Sequence, residues 1–586
     1  MINKKLFALL CLHFLGVTIL CFTLSAQTYA KYWVQFIDKQ GTSFSIDKPY
    51  EFLSPRAIDK RNRFNIPITE QDLPVSRTYI DKILALDKST MLLTQSKWLN
   101  GITIYCEHDS MFVWLKKLPF VQHCEITHQM EQAEEKITEP YLYQNLQQPT
   151  YEKSLQLKKE GTTSINYGKA EAQIRVNNAH WLHLLGYYGE GMAIMIMDGG
   201  FQNADKILHF KLQREENRVR AVRNFAQPMA SPYHTGEHGT NVLSCITSWI
   251  PGEHIGTAPF AEIYLAQTED GRSENPIEED NWVAGLEWAD SLGCDVLNSS
   301  LGYTKFDNKT NLRTYKDLDG KKSRASQAAA IAASKGIIVC NSAGNEGAKK
   351  WHYIGSPADA FNILSVGAVN IYKQRAPFSS YGPTADGRVK PEAVAVGWNT
   401  YVATRYGKTR TSNGTSFSAP LLSGMTTCLW QAFPSKNAFE IMNAIKNSGH
   451  QAHLPDTSLG YGITDFMKAF NLLLQKESRF KIEFLQYVIY NKKAQLSIIS
   501  PIDTMITIEI INESIGNTTK EAQPQKTIHK SFSIKKGENL ISITLPKIPK
   551  NEKFRINKTR ITCSNEEFIF LLGQEKAPFI TLSPIF

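Results

Sequence analysis

Ala193-Ile194-Met195-Ile196-Met197-Asp198-Gly199-Gly200 is the stretch on which the fold turns. Its apolar run has no polar interruption, as in a strand buried on both faces, and the two glycines allow a sharp turn straight after Asp198. Short apolar runs recur at 263–266, 295–298, 337–340 and 363–366, with helical stretches such as 282–292 and 326–335 between them. Strands alternating with helices predict an α/β domain with a mainly parallel sheet, here spanning 169–476. Its reactive groups are expected at the carboxyl ends of the strands.

Different patterns lie on either side. Residues 32–128 alternate strands (90–95, 102–106, 121–126) with helices (79–86, 110–118), which predicts a small α+β domain of split βαβ type. A polar stretch rich in Gln, Glu and Lys, 129–168, reads as a linker. Beyond 480 the period changes: Ile506, Ile508 and Ile510 alternate with Thr507 and Glu509, and similar runs occur at 496–499, 540–545 and 568–572. A β-sandwich over 480–586 is expected. At the start, Lys4 and Lys5 precede an apolar run from Leu6 to Leu24 and then small residues at Ser25, Ala26 and Ala30. This reads as an export signal over 1–26, with the cut as late as 30; a single membrane anchor is the competing reading. No later segment is apolar enough to cross a bilayer.

The chain has 586 residues, with 42% hydrophobic, 11% aromatic and 21% charged, which excludes fibrous, collagenous and largely disordered classes. Its net charge of +9, from 65 basic and 56 acidic residues, is a mild bias. Without a basic run interleaved with aromatics, nucleic-acid binding is not expected. Of nine cysteines, Cys11 and Cys21 fall in the signal. The rest are widely spaced with no CxxC pair, so neither a disulfide framework nor a zinc site of that type is indicated. Cys245, Cys340 and Cys428 lie in apolar stretches and are expected as buried thiols.

Four segments carry chemistry. Asp198 ends a strand, which alone is an ordinary turn aspartate. His238, in Glu237-His238-Gly239-Thr240-Asn241-Val242-Leu243, stands before a helical pattern; alone it reads as structural or solvated. Ser416, in Asn413-Gly414-Thr415-Ser416-Phe417-Ser418-Ala419-Pro420, opens a long apolar helix, where a hydroxyl is most simply a cap. The same place offers unpaired backbone N–H groups to a developing oxyanion. Ser418 competes as nucleophile. Asn345, in Asn341-Ser342-Ala343-Gly344-Asn345-Glu346-Gly347, is a turn residue or a non-titrating hydrogen-bond donor.

Taken in this order, the four segments resemble the subtilisin-like serine proteases, or subtilases. Gly-Thr-Ser-Phe-Ser-Ala-Pro and His-Gly-Thr match two signatures, while Asp-Gly-Gly departs from the usual Asp-Thr-Gly or Asp-Ser-Gly. Flanking segments agree: Gly256-Thr257-Ala258-Pro259, Asn298-Ser299-Ser300-Leu301-Gly302 and Phe378-Ser379-Ser380-Tyr381-Gly382-Pro383. The resemblance implies Asp198, His238 and Ser416 as a catalytic triad and Asn345 as an oxyanion donor. It also implies pocket walls from Ser300, Leu301 and Gly302 and, opposite, Ser342, Ala343 and Gly344. His238 and Asn345 hold positions where the sedolisins use Glu and Asp, so the acid-active relatives are excluded. Residues 32–128 then resemble an inhibitory propeptide, released by cleavage in the linker. A protein or peptide substrate is implied, and no cofactor is required. Several members bind calcium, and Asp317-Leu318-Asp319-Gly320 is either an oxygen-ligand run or an acidic turn. The terminal β part has a weak likeness to sorting modules of secreted enzymes. The expectation is a secreted serine endopeptidase made as a proenzyme. The alternative is a catalytically silent subtilase-fold binding or assembly protein of the cell surface.

Overall fold

The computed structural model describes residues 29–130, 165–307, 313–475, 478–490, 492–513, 527–548, 554–564 and 566–576. The expected signal at 1–26 and nearly all of the expected linker lie outside them. Two compact units are present: 29–43, 75–95 and 100–130 form the first, and 44–74, 96–99 and all that is described from 165 onward form the second.

The first unit is built on a four-stranded sheet in the order Met91–Ser96, Gly101–Cys106, Tyr29–Phe36, Val121–Met130. Helices Arg77–Leu84 and Met111–Lys117 bury Ile80, Ile83, Met111 and Leu115 against Val34, Ile102 and Ile104. This is the small α+β arrangement the sequence predicts, with one addition. The central strand Tyr29–Phe36 is missing from the expectation because nearly all of it is buried, and a strand covered on both faces loses its period-2 pattern.

The second unit contains a seven-stranded sheet: Ala393–Val396, Leu364–Val369, Ile338–Ser342, Val296–Ser299, Ala193–Asp198, Glu262–Gln267 and Val219–Asn224. Every neighbouring pair is parallel. Ser299 is in register with Met197 and with Asn341, and Asp198 with Gln267. The segments after these strands therefore leave the sheet at one edge, which sets the site.

Ile194 and Ile196 share a core with helices Glu237–Thr247 and Thr415–Ala432. On the other face, helix Ile277–Leu292 lies close enough that a Cβ on Gly285 would stand 2.9 Å from Met197 Sδ. That helix has Glu278, Glu279 and Asp280 in its first turn, which favours the positive helix end, and stops at Gly293 with φ +81°. The sequence places the linker through 168, but Tyr167 is already buried in this core and Gly168 bridges His254.

The carboxyl-terminal strands form two sheets. Lys481–Phe484, Lys493–Ser500 and Gly537–Thr544 make one; Val488–Ile489, Glu566–Glu575, Phe554–Cys563, Thr504–Glu513 and Ile528–Ile534 make the other. Their inner faces share one apolar core, which also takes in Trp181 and Met467 of the α/β part. The seven cysteines outside the signal are all buried and free.

Candidate active site

Asp198 ends its strand fully buried. Its Oδ1 accepts a hydrogen bond from His238 Nδ1 at 2.8 Å and another from the Gly199 N–H at 2.8 Å. Among the described residues its Oδ2 is buried without a partner. His238 is the second residue of helix Glu237–Thr247, a step further into the helix than the sequence reading had it. Burial works against charging the ring, but the Asp198 carboxylate and the hydrogen bond to it outweigh that, and the pKa is raised. The side chain remains 43% exposed, so the far edge of the ring is open to a substrate.

Ser416 is the second residue of helix Thr415–Ala432 and does not cap it; Gly414 holds the cap position with no side-chain bond. The Ser416 hydroxyl reaches the Ser300 carbonyl at 3.5 Å, and the Ser300 hydroxyl donates back to the Ser416 carbonyl at 2.9 Å. The neighbouring Phe417 ring stands 5.9 Å from the His238 ring, so the starts of the two helices that carry histidine and serine lie side by side. No hydrogen bond joins Ser416 to the ring among the described residues; catalytic bonds of this kind often tighten only when substrate is held. Ser418 donates to the Thr415 carbonyl at 2.9 Å and is fully buried, which leaves it no access to substrate.

Asn345 turns its Oδ1 to Thr415, accepting from the backbone N–H at 2.9 Å and the hydroxyl at 3.2 Å. A Cβ built on Gly414 would stand 3.7 Å from the Asn345 amide nitrogen and 3.6 Å from the Ser416 backbone nitrogen, whose N–H, as a first-turn group, has no acceptor within the helix. Asp198, His238, Asn345 and Ser416 line one cleft, together with Ser300, Leu301, Gly302, Ser342, Ala343 and Gly344.

The sequence reading missed the cleft's acidic wall. Glu269, Glu274 and Glu278 bring their carboxylates within 4.8 Å of one another and line the same cleft. Burial pushes Glu274 up to about 7, with Asp307 adding to it, and burial and mutual repulsion raise Glu269 and Glu278. Asp317 and Asp319 instead cap their own turns: Asp317 accepts from Thr314, and Asp319 from the Lys321 and Lys322 amides.

Residues 189–462 match the model of the subtilase family, and residues 31–140 match that of the peptidase S8 propeptide domain of Bacteroidota. Subtilisin NAT of Bacillus subtilis subsp. natto is 29% identical over 293 residues, spanning 49% of this chain and 67% of that protein. Subtilisin of Bacillus pumilus is 28% identical over 289 residues, spanning 49% of this chain and 91% of its own. Among solved structures, MycP1 with its N-terminal propeptide removed is 21% identical, covering 53% of this chain and 97% of that one at a TM-score of 0.40.

Proposed function

The chain belongs to the subtilase family, and from that premise we propose that it is a secreted serine endopeptidase made as a proenzyme, with Ser416 as its nucleophile. The observation that carries the reading is the Asp198–His238 hydrogen bond at a strand end, with Ser416 opening the helix beside it in the same cleft.

In the reaction, Ser416 Oγ bonds to the scissile carbonyl carbon while His238 Nε2 takes its proton. Asp198 holds the ring through Nδ1 and stabilises the imidazolium without accepting the proton. The carbonyl oxygen becomes an oxyanion, held by Asn345 Nδ2 and the Ser416 N–H. Collapse breaks the C–N bond, and His238 returns its proton to the leaving amine. A water, deprotonated in turn by His238, then releases the acyl group. Ser300-Leu301-Gly302 and Ser342-Ala343-Gly344 form the walls along which an extended peptide lies.

A propeptide domain ahead of the catalytic domain supports synthesis as a zymogen, and the Lys4–Leu24 pattern supports export. Among the described residues no helix is long and apolar enough to cross a membrane. The terminal β-sandwich docks on the catalytic part through Trp181 and Met467.

The test is hydrolysis of an unstructured protein substrate by chain freed of its residues before 165. Internal cleavage is expected, abolished by Ser416→Ala and reduced by Asn345→Ala about 10²–10³-fold in kcat, the loss known for such a donor in subtilisin itself. Binding of the substrate without any cleavage would instead support the silent binding protein.

A further inference from the structure

Glu269, Glu274 and Glu278 line the same cleft as Ser416, and two contacts place them along it. A Cβ on Gly199 would stand 3.7 Å from Glu269 Cβ, so Glu269 lies beside the catalytic aspartate. Tyr303, next to the wall residue Gly302, donates its hydroxyl to Glu269 Oε1 at 2.9 Å and to the Glu278 carbonyl at 3.2 Å. The acids therefore adjoin both Asp198 and the 300–302 wall. Local structure accounts for only part of this set. Glu278 holds its loop by accepting from the Asp270 and Asn275 amides at 3.1 and 3.3 Å. Glu269 also accepts from the Thr268 hydroxyl at 2.9 Å. The half-buried Glu274 carboxylate has no hydrogen bond or ion pair among the described residues.

Compensation from within the cleft is missing. Arg272 is the only lysine or arginine among its described lining residues, and Asp270 takes its guanidinium at 2.8 and 2.5 Å. Asp198, fully buried and lining the same cleft, adds an Oδ2 with no partner among the described residues. Carboxylates gathered out of solvent without a counter-charge are costly. An arriving cation offsets that cost, whereas an uncharged group that excludes more water adds to it.

We propose that Glu269 and Glu274 make the cleft selective for substrates that carry an arginine or lysine side chain on the acyl side of the cut bond. The inference rests on the reading of this cleft as a peptide site, and it names the class of peptide. An extended peptide along 300–302 turns alternate side chains to opposite sides, so one of its residues faces the acids. A guanidinium presents a fork of N–H donors to carboxylate oxygens, and Glu274 can receive it without giving up a bond already made.

The chain is folded whole and then freed of its residues before 165. Binding is read on its Ser416→Ala form, so that the result stands apart from catalysis. Fluorescence anisotropy compares two N-acetylated peptides, one with arginine at alternate positions and one with neutral citrulline in their place. The arginine peptide is expected to bind at least ~10-fold more tightly. Glu269→Gln with Glu274→Gln is expected to remove most of that ratio and to leave citrulline binding unchanged. Glu274→Gln alone, at a carboxylate with no bond to lose, is expected to lower the ratio in the same direction, and near-ultraviolet circular dichroism shows that each variant is folded. Peptides cut by the chain that keeps Ser416, read by mass spectrometry, are expected to be enriched in arginine and lysine on the acyl side. If that chain cuts nothing, the protease reading fails while the binding ratio still decides this proposal. Equal binding of the two peptides, or a ratio untouched in the folded variants, would overturn it. So would a preference seen only when the peptides keep a free amino terminus, which would assign the acids to the α-ammonium instead.

Discussion

Asp198 gives one oxygen to His238 and to the Gly199 amide, while its other oxygen lies buried with no partner among the described residues. The raised pKa of His238 has a kinetic consequence with a definite sign. The ring must be neutral to act as base, so activity is absent at low pH and rises as pH passes the raised value. The acid limb of kcat/KM is expected above the ordinary imidazole range. Asp198→Asn removes the charge that raises it, so the limb should move down, and kcat should fall about 10⁴-fold, as the same substitution does in an unrelated triad. A pH–rate profile of chain freed of its residues before 165 checks both. The glycines after Asp198 should behave differently. A Cβ on Gly199 would meet only Glu269 Cβ, at 3.7 Å, whereas Gly200 has φ +123° and a Cβ there would stand 2.3 Å from the Thr235 carbonyl oxygen. Thermal melts are expected to show Gly199→Ser tolerated and Gly200→Ser costing about 1–3 kcal/mol. Asp198, His238, Asn345 and Ser416 were legible in the sequence because glycines and short motifs mark each one. Glu269, Glu274 and Glu278 were not, because they follow no motif and come together only when the loop and the start of helix Ile277–Leu292 fold against one another.

Helix Ile277–Leu292 shows the same limit at the scale of elements. The sequence pattern starts it at 282, but its first turn is acidic, and no apolar period marks residues that are buried through hydrogen bonds. Its far end carries Asp290, which burial would raise but Lys97, Arg61 and Lys60 bring down to about 2. A carboxylate depressed on folding contributes stability above its ordinary range and loses it as pH falls toward 2. Asp290→Asn is therefore expected to flatten the acid-unfolding curve of the full chain between about pH 4 and pH 2, read by circular dichroism. The partners in this chain of charges lie too far apart in sequence for spacing to reveal them. Short buried strands such as Ala193–Asp198 were legible for the opposite reason, since an unbroken apolar run needs no partner to be recognised.

At the scale of the whole molecule, the terminal β part is bound into the catalytic fold. Glu575 on its strand Glu566–Glu575 pairs with Arg175 and, at 3.0 Å, with His180, all nearly buried. Trp181 packs so closely that a Cβ on Gly573 would stand 2.5 Å from its ring. Trp181→Ala is expected to cost about 3–5 kcal/mol and Arg175→Met a similar amount, measured by urea unfolding. A chain in which both substitutions are neutral would have a β part that contributes nothing to the stability of the rest. The order of parts was legible from changes in period along the sequence; the contacts joining them were not, since no local pattern encodes a pairing across 400 residues. The central claim concerns the nucleophile, and the most direct measurement is mass spectrometry after a fluorophosphonate probe, on chain freed of its residues before 165 and on its Ser416→Ala variant. A single adduct on the Ser416 peptide, absent in the variant, is predicted. No adduct on the freed chain, or one carried by Ser418, would contradict it.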